Sequence, residues 1–192
     1  MNPLEYAAAL LGLINVALVV RRTVWNYPFG IAMVALYFFV FYEARLYSDA
    51  LLQIFFLVVQ LYGWRNWLQA KNASGGEIPV RYLGARARLA WLAGLTAVSL
   101  VWGLAMDRYT DAAAPVVDAF VAGFSIGAQI LMARRFVENW VLWIAVDLVA
   151  IGLYWSRDLQ VTSGLYFIFL LLAITGLLEW ARGWRSQQAR IA

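Results

Sequence analysis

The chain has 192 residues, 64% hydrophobic, 16% aromatic and 14% charged, where soluble domains are about 45–50% apolar and about 25% charged; this is the composition of a polytopic helical membrane protein. It contains no cysteine and no histidine, which removes disulfides, thiolate nucleophiles, imidazole bases and zinc, haem or iron–sulfur ligation, so no cofactor, metal or catalytic residue is expected. The formal net charge of +4 would suit a nucleic-acid partner, but the placement of the basic residues gives it another meaning.

Apolar stretches long enough to cross a hydrocarbon core of about 30 Å run near Leu4–Val20, Val24–Tyr42, Ser48–Trp67, Arg88–Met106, Pro115–Ala133, Glu138–Trp155 and Val161–Trp180. The first is preceded by no basic residue, carries Glu5 and is longer than a signal-peptide core, so it is expected to remain as a helix. It contains an isolated Asn15 with no assignment. The second opens with Tyr27-Pro28-Phe29-Gly30, where a proline in the first turn costs little. The third carries Asp49 and Gln53 four residues apart, with Gln60 seven further on, all on one face. Such a stripe serves either to hydrogen-bond a ribose or amide of a ligand or to join helices.

A polar stretch, Gln69–Arg86, follows, with Lys71, the turn signal Ser74-Gly75-Gly76 and Pro79. It reads as a linker between two halves. Lys71 is the only lysine, so a Schiff base inside the membrane is excluded. In the fifth stretch Ala119, Gly123 and Gly127 form a small-residue stripe that points to close helix packing. The sixth carries the sharpest exception to apolarity, Asp147. A carboxylate at the centre of a spanning helix costs about 2.5–3.5 kcal/mol on insertion scales. Trp140 and Trp143 precede it by seven and four residues, on nearly the same helix face. An anion beside two indoles suits a flat organic cation; the alternative is a carboxyl that is protonated or bonded to a neighbouring helix, with the tryptophans in an interfacial belt.

Seven spans predict an orientation. With the N-terminus outside, Arg21, Arg22, Arg65, Lys71, Arg81, Arg86, Arg88, Arg134, Arg135, Arg182, Arg185 and Arg190 lie inside, and only Arg45, Arg108 and Arg157 outside. Twelve against three satisfies the positive-inside rule, with the C-terminus in. The basic excess therefore reports topology, and no nucleic-acid partner is expected.

The chain also repeats itself. Slid along itself until Arg21 meets Arg134, the stretch Arg21–Trp67 falls without gaps on Arg134–Trp180, with 12 of 47 positions identical, among them the paired arginines, Asn26 on Asn139, Gly63 on Gly176 and Trp67 on Trp180. A three-helix unit crosses the membrane an odd number of times, so a parallel copy needs one extra helix between. The fold expected is all-α, with seven transmembrane helices in a 3+1+3 parallel-repeat arrangement of the SWEET type. The divisions are 1–67 (first repeat), 68–114 (cytoplasmic linker and connecting helix) and 115–192 (second repeat and tail).

The segments Tyr27-Pro28-Phe29-Gly30, Leu46 to Gln53, Tyr62-Gly63-Trp64-Arg65-Asn66-Trp67 and Glu138-Asn139-Trp140-Val141-Leu142-Trp143 resemble the PnuC family of bacterial vitamin transporters. The resemblance implies a homotrimer in the bacterial inner membrane that carries nicotinamide riboside by facilitated diffusion, with a cytoplasmic vitamin kinase trapping the product. It also implies that Trp140 and Trp143 sandwich the ring and that Asp49 and Gln53 make polar contacts. Asp147 departs from the asparagine of the riboside carriers and is similar to the thiamine carriers (PnuT). Both vitamins are cationic aromatics; nicotinamide riboside is placed narrowly ahead of thiamine. A heptahelical receptor would need an output domain, and only short polar ends remain here. No Gly-x-x-x-x-Gly-Lys-Ser/Thr loop is present, so ATP-driven transport is unsupported, and no close acidic pair points to an enzyme.

Overall fold

The computed structural model describes residues 3–43, 47–109, 114–156 and 160–190. Arg45, Leu46 and Arg157, used above for orientation and resemblance, lie outside them. Seven helices follow in order: α1 (Pro3–Val20), α2 (Asn26–Glu43), α3 (Tyr47–Ala73), α4 (Ala85–Tyr109), α5 (Pro115–Ala133), α6 (Glu138–Ser156) and α7 (Gln160–Ala189). Each expected apolar stretch falls on one helix. Ala85–Tyr109, Pro115–Ala133 and Ser163–Ala189 are long and apolar enough to cross a membrane, while Tyr6–Val20 and Asn26–Val40 are shorter apolar helical segments.

Two helices outrun their apolar stretches. α3 continues past Trp67 to Ala73, and α7 past Trp180 to Ala189. The linker expected over Gln69–Arg86 therefore shortens to residues 74–84. Apolarity marks what meets lipid, whereas a helix ends where its last carbonyls find other partners. At α3 those partners come from Gly75 in the left-handed region (φ 76°) and the Gly76 N–H, which donates to Lys71 O at 3.0 Å, the arrangement that glycine favours.

The same C-terminal arrangement recurs twice without glycine. After α1, Arg22 takes φ 53° and the Thr23 N–H donates to Leu18 O at 3.2 Å; after α5, Arg135 takes φ 64° and the Phe136 N–H donates to Leu131 O at 2.9 Å. The next helix then opens alike in both places. The Asn26 amide donates to Thr23 O at 2.6 Å and the Asn139 amide to Phe136 O at 2.7 Å. Every member of the second set stands at the repeat offset from its counterpart, the same that carries Arg21 onto Arg134. Two of the identities seen in the sequence, Arg22 with Arg135 and Asn26 with Asn139, are thus residues that build one helix-to-helix corner. α1 and α5, too different in residues to align by identity, end at the same offset.

The chain divides into two compact units. The first holds Met1–Val80, Ala133–Arg135 and Leu178–Ala192. In it α1 packs on α2 and α2 on α3. Tyr27 stacks on Trp64 (centroids 6.4 Å apart) and meets Trp67 edge-on (5.5 Å), and Trp67 in turn touches Trp180 (5.7 Å). The second unit holds Arg81–Met132 and Phe136–Leu177. There the small residues of α5 do what their spacing predicts. Gly123 meets the Ser99 hydroxyl, Gly127 meets Leu95, and Gly103 of α4 lies 2.7 Å, by its missing Cβ, from the Val116 backbone. These glycines let α4 and α5 approach closely. The remaining surface of α4 exposes Leu89, Val98, Val101 and Trp102, an apolar face suited to lipid.

Candidate functional site

Polar groups in apolar helices mark the places where sequence is spent on something other than lipid solubility. In the second unit α6 carries Trp140, Trp143 and Asp147, spaced so that all three project from neighbouring turns of one face. Trp140 is 2% exposed and Asp147 3%, while Trp143 is half-buried. The Trp140 indole lies flat on the α7 backbone at Gly176, its Cε2 2.5 Å from where a Cβ would sit. Only glycine leaves room for it there.

Asp147 is different in kind. It is buried, yet it makes no hydrogen bond or ion pair with another described residue. A buried carboxylate without a partner is expensive wherever it sits, so the alternative in which Asp147 is bonded to a neighbouring helix finds no support among the described residues. One turn earlier stands Trp143. The two place a carboxyl group one helical turn from an indole, a spacing that suits a site for a flat cation.

The other two expected residues belong to α3 in the first unit. Gln53 is buried at 9% exposure; Asp49 lies on the first turns of the helix, its side chain outside the described residues. Two turns beyond Gln53, Gln60 is 2% exposed and its carbonyl oxygen is unpartnered. Its amide presses on Gly30 of α2, beside the Asn15 amide, which donates to Asn26 O at 2.7 Å. Asn15, Gly30 and Gln60 thus form one buried polar cluster from three helices. The stripe on α3 pointed to Gln60, but nothing in the sequence linked it to the isolated Asn15; that needed the packing of α1, α2 and α3. Gln129 of α5, 7% exposed, is a further buried amide that spacing did not single out. Among the described residues no three His, Cys, Asp or Glu side chains gather as a metal site.

A model of the nicotinamide mononucleotide transporter family matches residues 2–182. The chain belongs to this family. It is therefore a membrane transporter and not an enzyme, a multi-pass protein of the bacterial inner membrane, and the resemblance to PnuC read from its motifs holds. The nicotinamide riboside transporter PnuC of Escherichia coli is 28% identical over 97% of this chain and 88% of its own length. The riboflavin/roseoflavin transporter RibM of Streptomyces davaonensis is 30% identical over 89% and 81%. A solved structure, the crystal structure of the vitamin B3 transporter PnuC, superposes with a TM-score of 0.77 at 27% identity, covering 95% of this chain and 82% of that one. Within the family, then, the named relatives carry cargoes of different chemistry, and the residues of the cargo site must separate them.

Proposed function

We propose that this chain is a uniporter for a cationic aromatic vitamin, nicotinamide riboside ahead of thiamine. The observation that carries the reading is Asp147: a buried carboxylate, without a partner among the described residues, one helical turn from Trp143. A charge left unpaired in an apolar helix is retained where a ligand supplies the opposite charge. Trp143 stacks the ring, backed by Trp140 which is itself packed against Gly176, Asp147 offsets its positive charge, and Asp49 and Gln53 of α3 bind the polar tail. Relatives named for nicotinamide riboside support the first cargo; an aspartate in place of asparagine favours the second. RibM's flavin cargo is the contrast, since a carboxylate gives no advantage to an uncharged ring.

Seven helices, with corners that repeat at one fixed offset, support the 3+1+3 arrangement of two parallel repeats. The twelve-to-three division of basic residues supports an N-terminus outside and a C-terminus inside. Transport proceeds by rocking of the repeats about a mid-membrane site, without a coupling ion, and a cytoplasmic kinase retains the product. The assembly is a homotrimer.

The test is binding of nicotinamide riboside, thiamine and riboflavin to the purified protein and to Asp147→Asn. The cationic vitamins should bind at micromolar levels and lose at least tenfold in the variant, about 1.4 kcal/mol, while riboflavin binding is weak in both. If neither cation binds, the cargo assignment fails. Equal affinities in the variant would make the carboxylate structural. Uptake into liposomes without an ion gradient tests the uniport mechanism, and strict dependence on a proton or sodium gradient would overturn it.

A further inference from the structure

Around the paired arginines, close contacts join residues of the first repeat stretch to residues far along the chain. All of them lie within the first unit. Trp67 and Trp180, counterparts in the repeat, are both wholly buried with rings 5.7 Å apart. The Trp180 indole N–H reaches Val19 O at the end of α1 (3.1 Å). The Asn66 amide of α3 reaches Ala133 O, the last carbonyl of α5 (2.7 Å). One turn before Asn66, Gly63 brings α3 so near that a Cβ on it would stand 3.1 Å from the Ala133 Cβ.

Over the same end runs a strap, Glu77 to Val80. Arg22 donates to Ile78 O (3.3 Å) and Arg135 to the next carbonyl, Pro79 O (3.4 Å), so the two equivalent corners hold adjacent peptide units. The Gln187 amide pairs with both backbone groups of Val80 (3.1 and 3.4 Å). Within the strap Ile78 and Val80 are buried.

We infer that Trp67, Trp180, Asn66 and this strap form the gate through which cargo leaves toward the cytoplasm. The inference rests on the proposed reading of the chain as a carrier with its arginine-rich end inside. A carrier that rocks two repeats opens each end in turn, and no solute passes between fully buried tryptophans; these contacts must part for release. Their chemistry suits repeated parting. They are neutral or singly charged hydrogen bonds to end-of-helix and strap carbonyls, each worth about 0.5–3 kcal/mol net, and ring contacts.

Because the chain has no cysteine, thiols report the gate cleanly. A Gly63→Cys, Ala133→Cys double variant places two sulfurs at disulfide range, where Cβ atoms stand about 3.5–4.5 Å apart after slight relaxation. Reduced, its own rate of vitamin uptake into liposomes is the reference for the oxidised form. Oxidised, uptake should fall more than tenfold while vitamin binding changes less than threefold, and reductant should restore it. Undiminished uptake by the cross-linked protein would show that this end is a fixed pivot and overturn the gate. The milder Ala133→Cys variant decides independently of whether the double variant folds. Its buried thiol should react slowly with a water-soluble maleimide, and at least fivefold faster when combined with Trp180→Phe, which removes the bond to Val19. A thiol that never reacts while uptake proceeds overturns the gate. If the unsubstituted protein binds neither vitamin, the cargo reading fails and the labelling rates alone judge the gate.

Discussion

Tyr27 and Trp140 are counterparts in the two repeats, and each lays its ring on a glycine of the next helix within its own repeat. The Tyr27 hydroxyl stands 2.6 Å from where a Cβ on Gly63 would be, and the Trp140 Cε2 2.5 Å from the same point on Gly176. One packing solution is thus used twice, with a phenol in one half and an indole in the other.

Gly176→Ala should therefore cost more than Gly63→Ala. At Gly176 the new methyl meets three ring carbons of a rigid, buried indole; at Gly63 it meets mainly the tip of a tyrosine. Overpacking costs about 1–3 kcal/mol, against a gain of about 1 kcal/mol from replacing a mid-helix glycine. A net fall in Tm is expected for Gly176→Ala, with Trp140→Phe partly restoring it, as read by thermal unfolding in detergent. A Tm raised by Gly176→Ala alone would refute this packing.

Removing the charge at Asp147 should stabilise the empty protein while it weakens cargo binding. The carboxylate has no described partner to lose, so Asp147→Asn only relieves desolvation. A gain of about 1 kcal/mol corresponds to about 2–4 °C for a chain of this size. A Tm lowered by the substitution would mean that a partner was broken.

Glu138 and Arg88 form a bond whose two ends are unequal. Glu138 takes the Arg88 Nε–H at 2.7 Å and also caps the Leu83 N–H at 3.1 and 3.2 Å, and its side chain is 15% exposed against 52% for Arg88. Glu138→Ala strands a part-buried N–H and should cost about 1–3 kcal/mol. Arg88→Ala removes a half-exposed ion pair worth about 0–1 kcal/mol and an exposed cation–π contact with Tyr82 (5.4 Å) worth about 0.5–1 kcal/mol, and leaves no N–H stranded. Thermal unfolding of the two variants checks the order, and the reverse order would sink it.

Arg22 is held in the left-handed region (φ 53°), where a side chain costs about 1–2 kcal/mol relative to glycine. Arg22→Ala and Arg22→Gly both lose the bond to Ile78 O, but only the second relaxes the backbone. The glycine variant should melt several degrees higher than the alanine variant. The same comparison at Arg135, also left-handed with φ 64°, should give the same sign.

The family, the seven helices and the buried carboxylate of Asp147 were legible in the sequence because each depends on composition along one helix. Lipid demands about twenty apolar residues per crossing, and Asp147 stands out against that demand. The ends of α3 and α7 were not legible, since hydropathy follows lipid contact and the helices continue beyond it until Gly75 and the tail. Trp140 reads in sequence as a partner of Trp143; the structure lays it on Gly176, a residue of the following helix. Asn15 carried no meaning until α2 and α3 brought Gly30 and Gln60 beside it.

By itself the sequence determined the solvent, since an apolar chain of this kind has a place only in a bilayer, and it showed identical residues recurring at one fixed offset. Tertiary structure decided what those recurrences are for. Asn26 and Asn139 each build a corner through a carbonyl three residues back, whereas Arg22 and Arg135 reach Ile78 O and Pro79 O, and Trp180, in ring contact with Trp67, reaches Val19 O, all carbonyls far away in the chain. Distances of that kind are fixed by packing between helices, which no periodicity within a single helix encodes.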